Sequence, residues 1–419
     1  MNVELESLQR LALTRIRRQL LPFLFALYVV AYIDRVNMSF AIHGLERDLS
    51  ISMAEYGLSA GVFFIGYVLF EVPSNLILER IGARPWISRI MISWGILAAL
   101  TALVNNVEQL HILRFFLGFA EAGFVPGIVL YLSRWVPRAE RSLVLSSFIA
   151  AIPVAGLIGA PIAAALLSLD GWLGISGWRW LFLMEALPAI CLGLLVWHWL
   201  PNRPSDASWL PKSEALAIEN AIATEQEDKL HSLRKALTQS RLWLLCLLAL
   251  SIAIGCYSFS FWIPNFVAND LPRASETLVS LISALPYAIA VPIMLLVGKS
   301  SDRQHEQSLH VAVPLLIGAC SLFAVIHTTG GVRLLALCIA TAATFAALGP
   351  FWTLPTVFLG GTAAAGGIAW INSFANIGGF IAPYVMGQLL SQTSGQVLAL
   401  NSLAAVLLVG ALLALNVKG

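Results

Sequence analysis

Four ionisable residues, Asp34, Arg35, Arg114 and Glu121, stand inside stretches otherwise apolar enough to cross a bilayer. A charged side chain at the middle of a membrane helix costs roughly 2.5–3.5 kcal/mol, so it persists only with a partner or a task. Two of the four are cations able to hold an anion, and two are carboxylates able to carry a proton. The chemistry open to such a set is proton-coupled binding of an anion. Arg114 and Glu121 are seven residues apart, about two helical turns, and share one helix face. That spacing fits a fold-stabilising ion pair, and it equally fits a carboxylate whose proton affinity a guanidinium tunes. Asp34 and Arg35 are adjacent, so their side chains diverge by about 100° and meet different neighbours. Arg35 is expected to face a central cavity and Asp34 a neighbouring helix.

The elements that must position these groups are membrane spans. Of 419 residues, 58% are hydrophobic and 11% charged, against about 25% charged in a soluble domain. Twelve apolar runs are each long enough for about 30 Å of hydrocarbon. They cover 20–41, 55–78, 86–105, 110–132, 143–168 and 179–200, then 242–267, 277–298, 310–328, 333–358, 364–390 and 397–416. The predicted fold class is an all-α membrane protein of twelve transmembrane helices. Residues 1–200 form a first six-helix half, 201–240 a linker with a surface helix, and 241–419 a second half. A weak echo between the halves supports duplication: Asn75-Leu-Ile-Leu-Glu79-Arg80 closes the second span, and Gly298-Lys-Ser-Ser-Asp302-Arg303 closes the eighth.

Several function classes drop out. The linker is too short for a nucleotide-binding domain and the chain has no G-x-x-x-x-G-K-[ST], so ATP-driven transport by this chain alone is not expected. The formal charge of +2 is spread between spans and forms no nucleic-acid patch. Five cysteines lie singly in apolar runs, which predicts buried thiols and neither a disulfide framework nor a metal site. No cofactor is expected. The seven histidines are scattered among loops and span ends and do not cluster as a membrane enzyme would need. Residues 1–19 read as a lead-in helix and not as a signal peptide.

Lysine and arginine set the orientation. Arg10, Arg15, Arg17, Arg18, Arg80, Arg84, Arg89, Arg134, Arg138 and Arg141 fall at one side of the predicted bundle, as do the central-loop cations, Lys299 and Arg303. The opposite loops hold only Arg47, Arg179, Arg273 and Arg333. The positive-inside rule places both termini and the linker in the cytoplasm of a cell whose inner membrane the chain spans.

Beyond these patterns, Asn75–Arg84 resembles the loop signature of the major facilitator superfamily, with Asn75 for its first glycine, Glu79 for its aspartate and Ala83 for its second arginine. Tyr32-Ile-Asp-Arg-Val-Asn37, Phe70-Glu-Val-Pro-Ser-Asn75, the run RFFLGFAEAGFVP from Arg114, Gly177-Trp-Arg-Trp-Leu-Phe182 and Ile371-Asn-Ser-Phe-Ala-Asn-Ile-Gly-Gly379 are similar to the anion:cation symporter family within it. The nearest likeness is to tartrate, phthalate and 4-hydroxyphenylacetate permease-like members. The resemblance implies a rocker-switch carrier, expected to act as a monomer, that imports an organic anion with protons. It implies that Arg35 binds the substrate carboxylate, for which a planar two-pronged guanidinium is suited. Asp34 and Glu121 are implied as proton sites.

By the same resemblance Tyr32 and Tyr67 border the cavity and Asn376 contacts substrate, although each also fits plain packing. Arg114 is a second candidate anion ligand. Glu79, Arg80, Arg84, Asp302 and Arg303 either lie solvated in loops or latch one conformation through helix ends. The second half places no charged residue deep in a span, so its expected contribution is shape and hydrogen bonding from Ser258, Trp262, Trp352, Thr353 and Asn376. Its seventh span is aromatic, with Tyr257, Phe259, Phe261 and Trp262, which leans toward a small or aromatic carboxylate over a sugar acid. Glu71 reads as an interhelical gate or packing contact, and Glu185 has no assignment. The rival readings are an organic anion/phosphate exchanger, a polytopic enzyme and a sensor.

Overall fold

The computed structural model describes residues 2–137, 144, 147–227, 237–304, 306–358, 361–393 and 395–417. The first half contains α1 (Asn2–Leu49), α2 (Met53–Ile81), α3 (Ala83–Thr101), α4 (Val107–Glu121), α5 (Phe124–Ser133), α6 (Ala151–Leu167) and α7 (Gly177–Trp199). After α8 (Lys212–Glu227) come α9 (Ser240–Asp270), α10 (Glu276–Ile282), α11 (Leu285–Gln304), α12 (Ser308–His327), α13 (Gly330–Ala346), α14 (Leu348–Phe358), α15 (Gly361–Leu390) and α16 (Gly395–Asn416). No strand occurs among the described residues. Ten segments are long and apolar enough to cross a membrane; α3 and α15 are the other long helices of the bundle. An all-helical bundle follows from the solvent, because backbone groups in hydrocarbon have only one another to bond. Leu69, Leu103, Leu295, Leu296, Phe323 and Leu412 stay more than half exposed, as lipid-facing positions require.

The helix α1 is 48 residues long, about 70 Å at 1.5 Å per residue, so it overruns the hydrocarbon. Its overhang docks on the linker helix α8, where Arg15 Nε meets Glu214 Oε2 at 3.1 Å and Gln9 Nε2 donates to Ala217 O at 3.4 Å.

The fourth crossing differs from the uninterrupted run expected at 110–132. It breaks after Glu121, because Gly123 adopts φ 86°, open to glycine and disfavoured for other residues. The freed carbonyl of Ala122 accepts from Ser74 Oγ at 2.7 Å, and Trp86 Nε1 donates to the same hydroxyl at 2.9 Å. The break leaves Glu121 on the last turn of α4, beside α1.

Glycines set how closely α2 approaches its two partners. A Cβ on Gly66 or Gly118 would strike the backbone oxygen of Phe115 or Phe63, so α2 and α4 pack backbone to backbone. On another face, Gly57 and Gly387 bring α2 against α15, one helix from each half. This second contact closes the end of the bundle opposite the chain termini, here called the far end. A Gly57→Val branch would meet Pro383 O and Gly387 Cα, so the variant is expected to hold the far end apart. Spin-label distances across α2 and α15 should lengthen, and an unchanged distribution would refute the closure role.

Also at the far end, Asp170 accepts from the Gly177 backbone N–H at 2.7 Å and pairs with Arg47 at 3.2 Å, tying the turn after α6 to the end of α1. The Gly177 N–H, then Arg47, hold the Asp170 carboxyl below its usual range. A depressed carboxylate adds stability above its unfolded pKa and loses it as pH falls through the folded value. Asp170→Asn should therefore melt below the parent at neutral pH, with the gap narrowing in acid; a gap that grew in acid would be the wrong sign.

Candidate functional site

The residues that meet at the centre come from four helices. Arg35 (α1) is 4% exposed, and Arg114 and Glu121 (α4) are both fully buried. Arg35 Nη2 donates to Glu121 Oε1, and Nη1 donates to Tyr257 Oη on α9 at 3.4 Å, crossing between halves. Its guanidinium lies 5.3 Å from the ring centres of both Phe63 and Tyr67, close enough for cation–π attraction. Tyr32, one turn before Arg35, shares a hydrogen bond of 3.2 Å with Ser260 on α9.

The pairing differs from the one that helical spacing favoured. Arg114 and Glu121 lie on one face but about 10 Å apart along the axis, so each finds a nearer partner. Glu121 takes Arg35. Arg114 reaches toward α2, its Nε donating to Ser59 O at 3.4 Å and its guanidinium 5.0 Å from the Phe63 ring. The two terminal nitrogens of Arg114 are buried with no hydrogen-bond partner among the described residues. An ionised donor left so costs several kcal/mol, which an incoming anion would offset.

Asp34 turns the other way. Its carboxylate accepts from Trp94 Nε1 on α3 at 2.7 Å and from Asn37 Nδ2 at 3.2 Å. Glu185 of α7, unassigned from sequence, is buried on the same side, close to Asn37 and within electrostatic reach of Asp34. The buried charged residues among those described all precede position 215.

One stripe of α2 at four-residue spacing supplies Ser59, Phe63, Tyr67 and Glu71. Its roles were only partly visible in sequence: Tyr67 stands out, but Phe63 reads as core until both guanidinia are seen against it. Glu71 reaches the second half, its two oxygens accepting from Asn372 Nδ2 at 3.2 Å and Asn376 Nδ2 at 3.4 Å. Tyr257 belongs to the aromatic wall that the seventh span predicts, and its hydroxyl is in addition a partner of Arg35.

Other candidates sit apart. Ser258 faces a small apolar crevice lined by Ile254, Met386, Leu403 and Val406, away from Arg35. The Trp262 ring stands edge-on to Tyr56 at 5.0 Å. The Trp352 ring stands edge-on to Phe351 in the second half, and no hydrogen bond or ring contact among the described residues joins it to Arg35. Arg84 does bind a helix end, donating from Nε to Leu200 O at 2.5 Å, but within its own half. Arg80 and Arg303 are exposed. The side chains of Glu79, Asp302 and Thr353, together with Arg138, Arg141 and part of 349–367, lie outside the described residues.

A bundle of membrane helices around buried arginines and carboxylates has known counterparts. The Major Facilitator Superfamily pattern matches residues 24–383. The chain belongs to the major facilitator superfamily. It is a multi-pass membrane transporter and not an enzyme. A putative tartrate transporter of Agrobacterium vitis is 41% identical over 413 residues, 98% of this chain and 92% of that one. The putative metabolite transport protein NicT of Pseudomonas putida is 41% identical over 380 residues, 89% and 87% of the two chains. Among solved structures, a bacterial homologue of the human lysosomal transporter Spinster, inward-facing and occupied, superposes with a TM-score of 0.77 at 18% identity, covering 96% of each chain. A D-xylose-proton symporter gives 0.76 at 15% identity, covering 94% and 96%. At such identities the likeness is one of fold, and this major facilitator shares it along nearly its whole length.

Proposed function

We propose that this major facilitator imports a small organic carboxylate, tartrate-like or aromatic, in symport with protons across the bacterial inner membrane. The observation that carries the reading is Arg114, a buried guanidinium with two partnerless nitrogens, beside Arg35 already neutralised by a carboxylate. The relatives of putative tartrate transport support the substrate class. The arginine bias puts the termini in the cytoplasm, so the far end faces the periplasm. Residues 1–200 and 241–419 are taken as the two rocking bodies and 201–240 as their tether.

In the cycle, protons taken up at Asp34 and Glu121 release Arg35 from internal pairing, and Arg35 with Arg114 then holds the anion. Tyr32, Tyr67 and Asn376 shape the remainder of the site, and Trp352, which sits apart from Arg35 in this conformation, is proposed to join it only once the halves have rocked. With charge balanced, the halves rock and the far end closes. Proton loss to the cytoplasm restores the Arg35–Glu121 pair and expels the anion. Each ligand must favour the other's binding for coupling to hold. Arg80 and Arg303, with Glu79 and Asp302, are proposed latches at the cytoplasmic end; Arg84 supports that end by holding α7.

Uptake of radiolabelled L-tartrate into proteoliposomes, with and without an imposed pH gradient, tests the reading. Symport requires accumulation only with the gradient inward. Exchange, the second reading, would need internal phosphate or anion and ignore the gradient; the partnerless arginine serves both, but exchange leaves the buried carboxylates without a task.

A further inference from the structure

Glu71 is a polar link between the halves in the middle of the bundle. Asn372 and Asn376 are one turn apart on α15, so their amides point the same way. Each donates to a different oxygen of Glu71. Two parallel donors engaging two oxygens form a carboxylate cradle, and Glu71 and Asn376 are each only 7% exposed. Glu71 follows Tyr67 by one turn, so the cradle lies roughly 6 Å along α2 from the ring against which Arg35 rests. It lies on the termini side of that ring, while Gly57 and Gly387 seal the far side.

We propose that Glu71 is a resident stand-in for one end of the substrate: it fills the Asn372–Asn376 cradle in the empty carrier, and a second acidic group on the substrate displaces it. This inference rests on the anion-import reading and sharpens it. A dicarboxylate would span the site, one end on Arg35 and Arg114 and the other on the two amides. Binding would then break the Glu71 link between α2 and α15, the link that restrains the termini side of the site. A monocarboxylate would hold the arginines and leave Glu71 in place. The site thereby discriminates by the far end of the ligand, using a repulsive carboxylate as well as attractive amides.

The test compares binding of L-tartrate with that of L-lactate by isothermal titration on the purified full chain. Glu71→Gln removes the competing charge but can still bond one amide. It is expected to tighten L-tartrate about tenfold and leave L-lactate within about twofold. Asn376→Ala should do the reverse, weakening tartrate selectively. A tartrate-to-lactate ratio unchanged in Glu71→Gln overturns the proposal and leaves Glu71 a packing contact. Binding of neither acid by the parent chain would instead be a failure of the anion-import reading. A ligand-free arm then decides the link alone: spin labels at the exposed positions Ile81 and Gln304 should move apart in Glu71→Ala, and an unchanged distance distribution sinks the idea.

Discussion

Arg35→Ala is expected to abolish uptake of the organic anion and to lower the melting temperature of the empty protein. Both effects follow from one contact. Arg35 is the sole described ion-pair partner of Glu121, and Glu121 is wholly buried. Removing one member of a buried pair costs about 3–5 kcal/mol, because the other charge is stranded. The same amount taken from anion binding is at least a 100-fold loss of affinity. The two effects separate in a double variant. Arg35→Ala/Glu121→Gln strands no charge, so its melting temperature should recover toward the parent while uptake stays absent. Arg35→Lys should fall between, since a point charge cannot serve Glu121, Tyr257 and a substrate carboxylate as a planar fork does. Melting curves and initial uptake rates in proteoliposomes provide the check. Normal uptake by Arg35→Ala would remove Arg35 from the binding site.

Glu121→Gln is expected to do something different: to disconnect transport from the pH gradient without stopping transport. Glutamine has the shape of the protonated acid and can still accept from Arg35, so the site keeps its geometry. What it loses is the negative charge that returns to Arg35 when the proton leaves. The anion then meets the same free guanidinium at both faces of the membrane, and no proton step expels it. Gradient-driven accumulation should fall by about 5–150-fold, the range of an ordinary coupling free energy. Counterflow of labelled against unlabelled substrate should persist at a similar rate, and its pH dependence should flatten. If counterflow vanished along with accumulation, Glu121 would be a binding or folding residue and the coupling role would pass to Asp34.

The far-end closure bears on how these variants should be assayed. With α2 and α15 locked at Gly57 and Gly387, and Tyr56 Oη donating to Phe261 O across the halves at 3.1 Å, the tetrad is sealed from that side. Binding measured from the termini side therefore samples the site without the rocking step, which counterflow still requires. Such a design separates binding from coupling in a way that net uptake does not.

The sequence by itself determined the solvent, the helices and the inventory of costly groups. Runs of about 20 apolar residues leave a bilayer as the only solvent that suits them, and in a bilayer the backbone must close its own hydrogen bonds, hence helices. A charge inside such a run is conspicuous, so Asp34, Arg35, Arg114 and Glu121 could be named without coordinates. The scattered motifs also pointed to the superfamily that the match over residues 24–383 establishes.

Only the tertiary structure decided who meets whom. Helical periodicity fixes the face a side chain leaves from and says nothing of the neighbour that face meets. Arg114 and Glu121 looked like a pair on one face. They lie about 10 Å apart along α4, and the placement of that helix beside α1 and α2 gives Glu121 to Arg35 and leaves the terminal nitrogens of Arg114 open. Glu185 had no partner in sequence because Asn37 lies almost 150 residues away, on another helix. The Glu71 cradle joins positions some 300 residues apart across the two halves. Local sequence carries no trace of such encounters, since they arise from backbone approach between helices that are neighbours only once the bundle has formed.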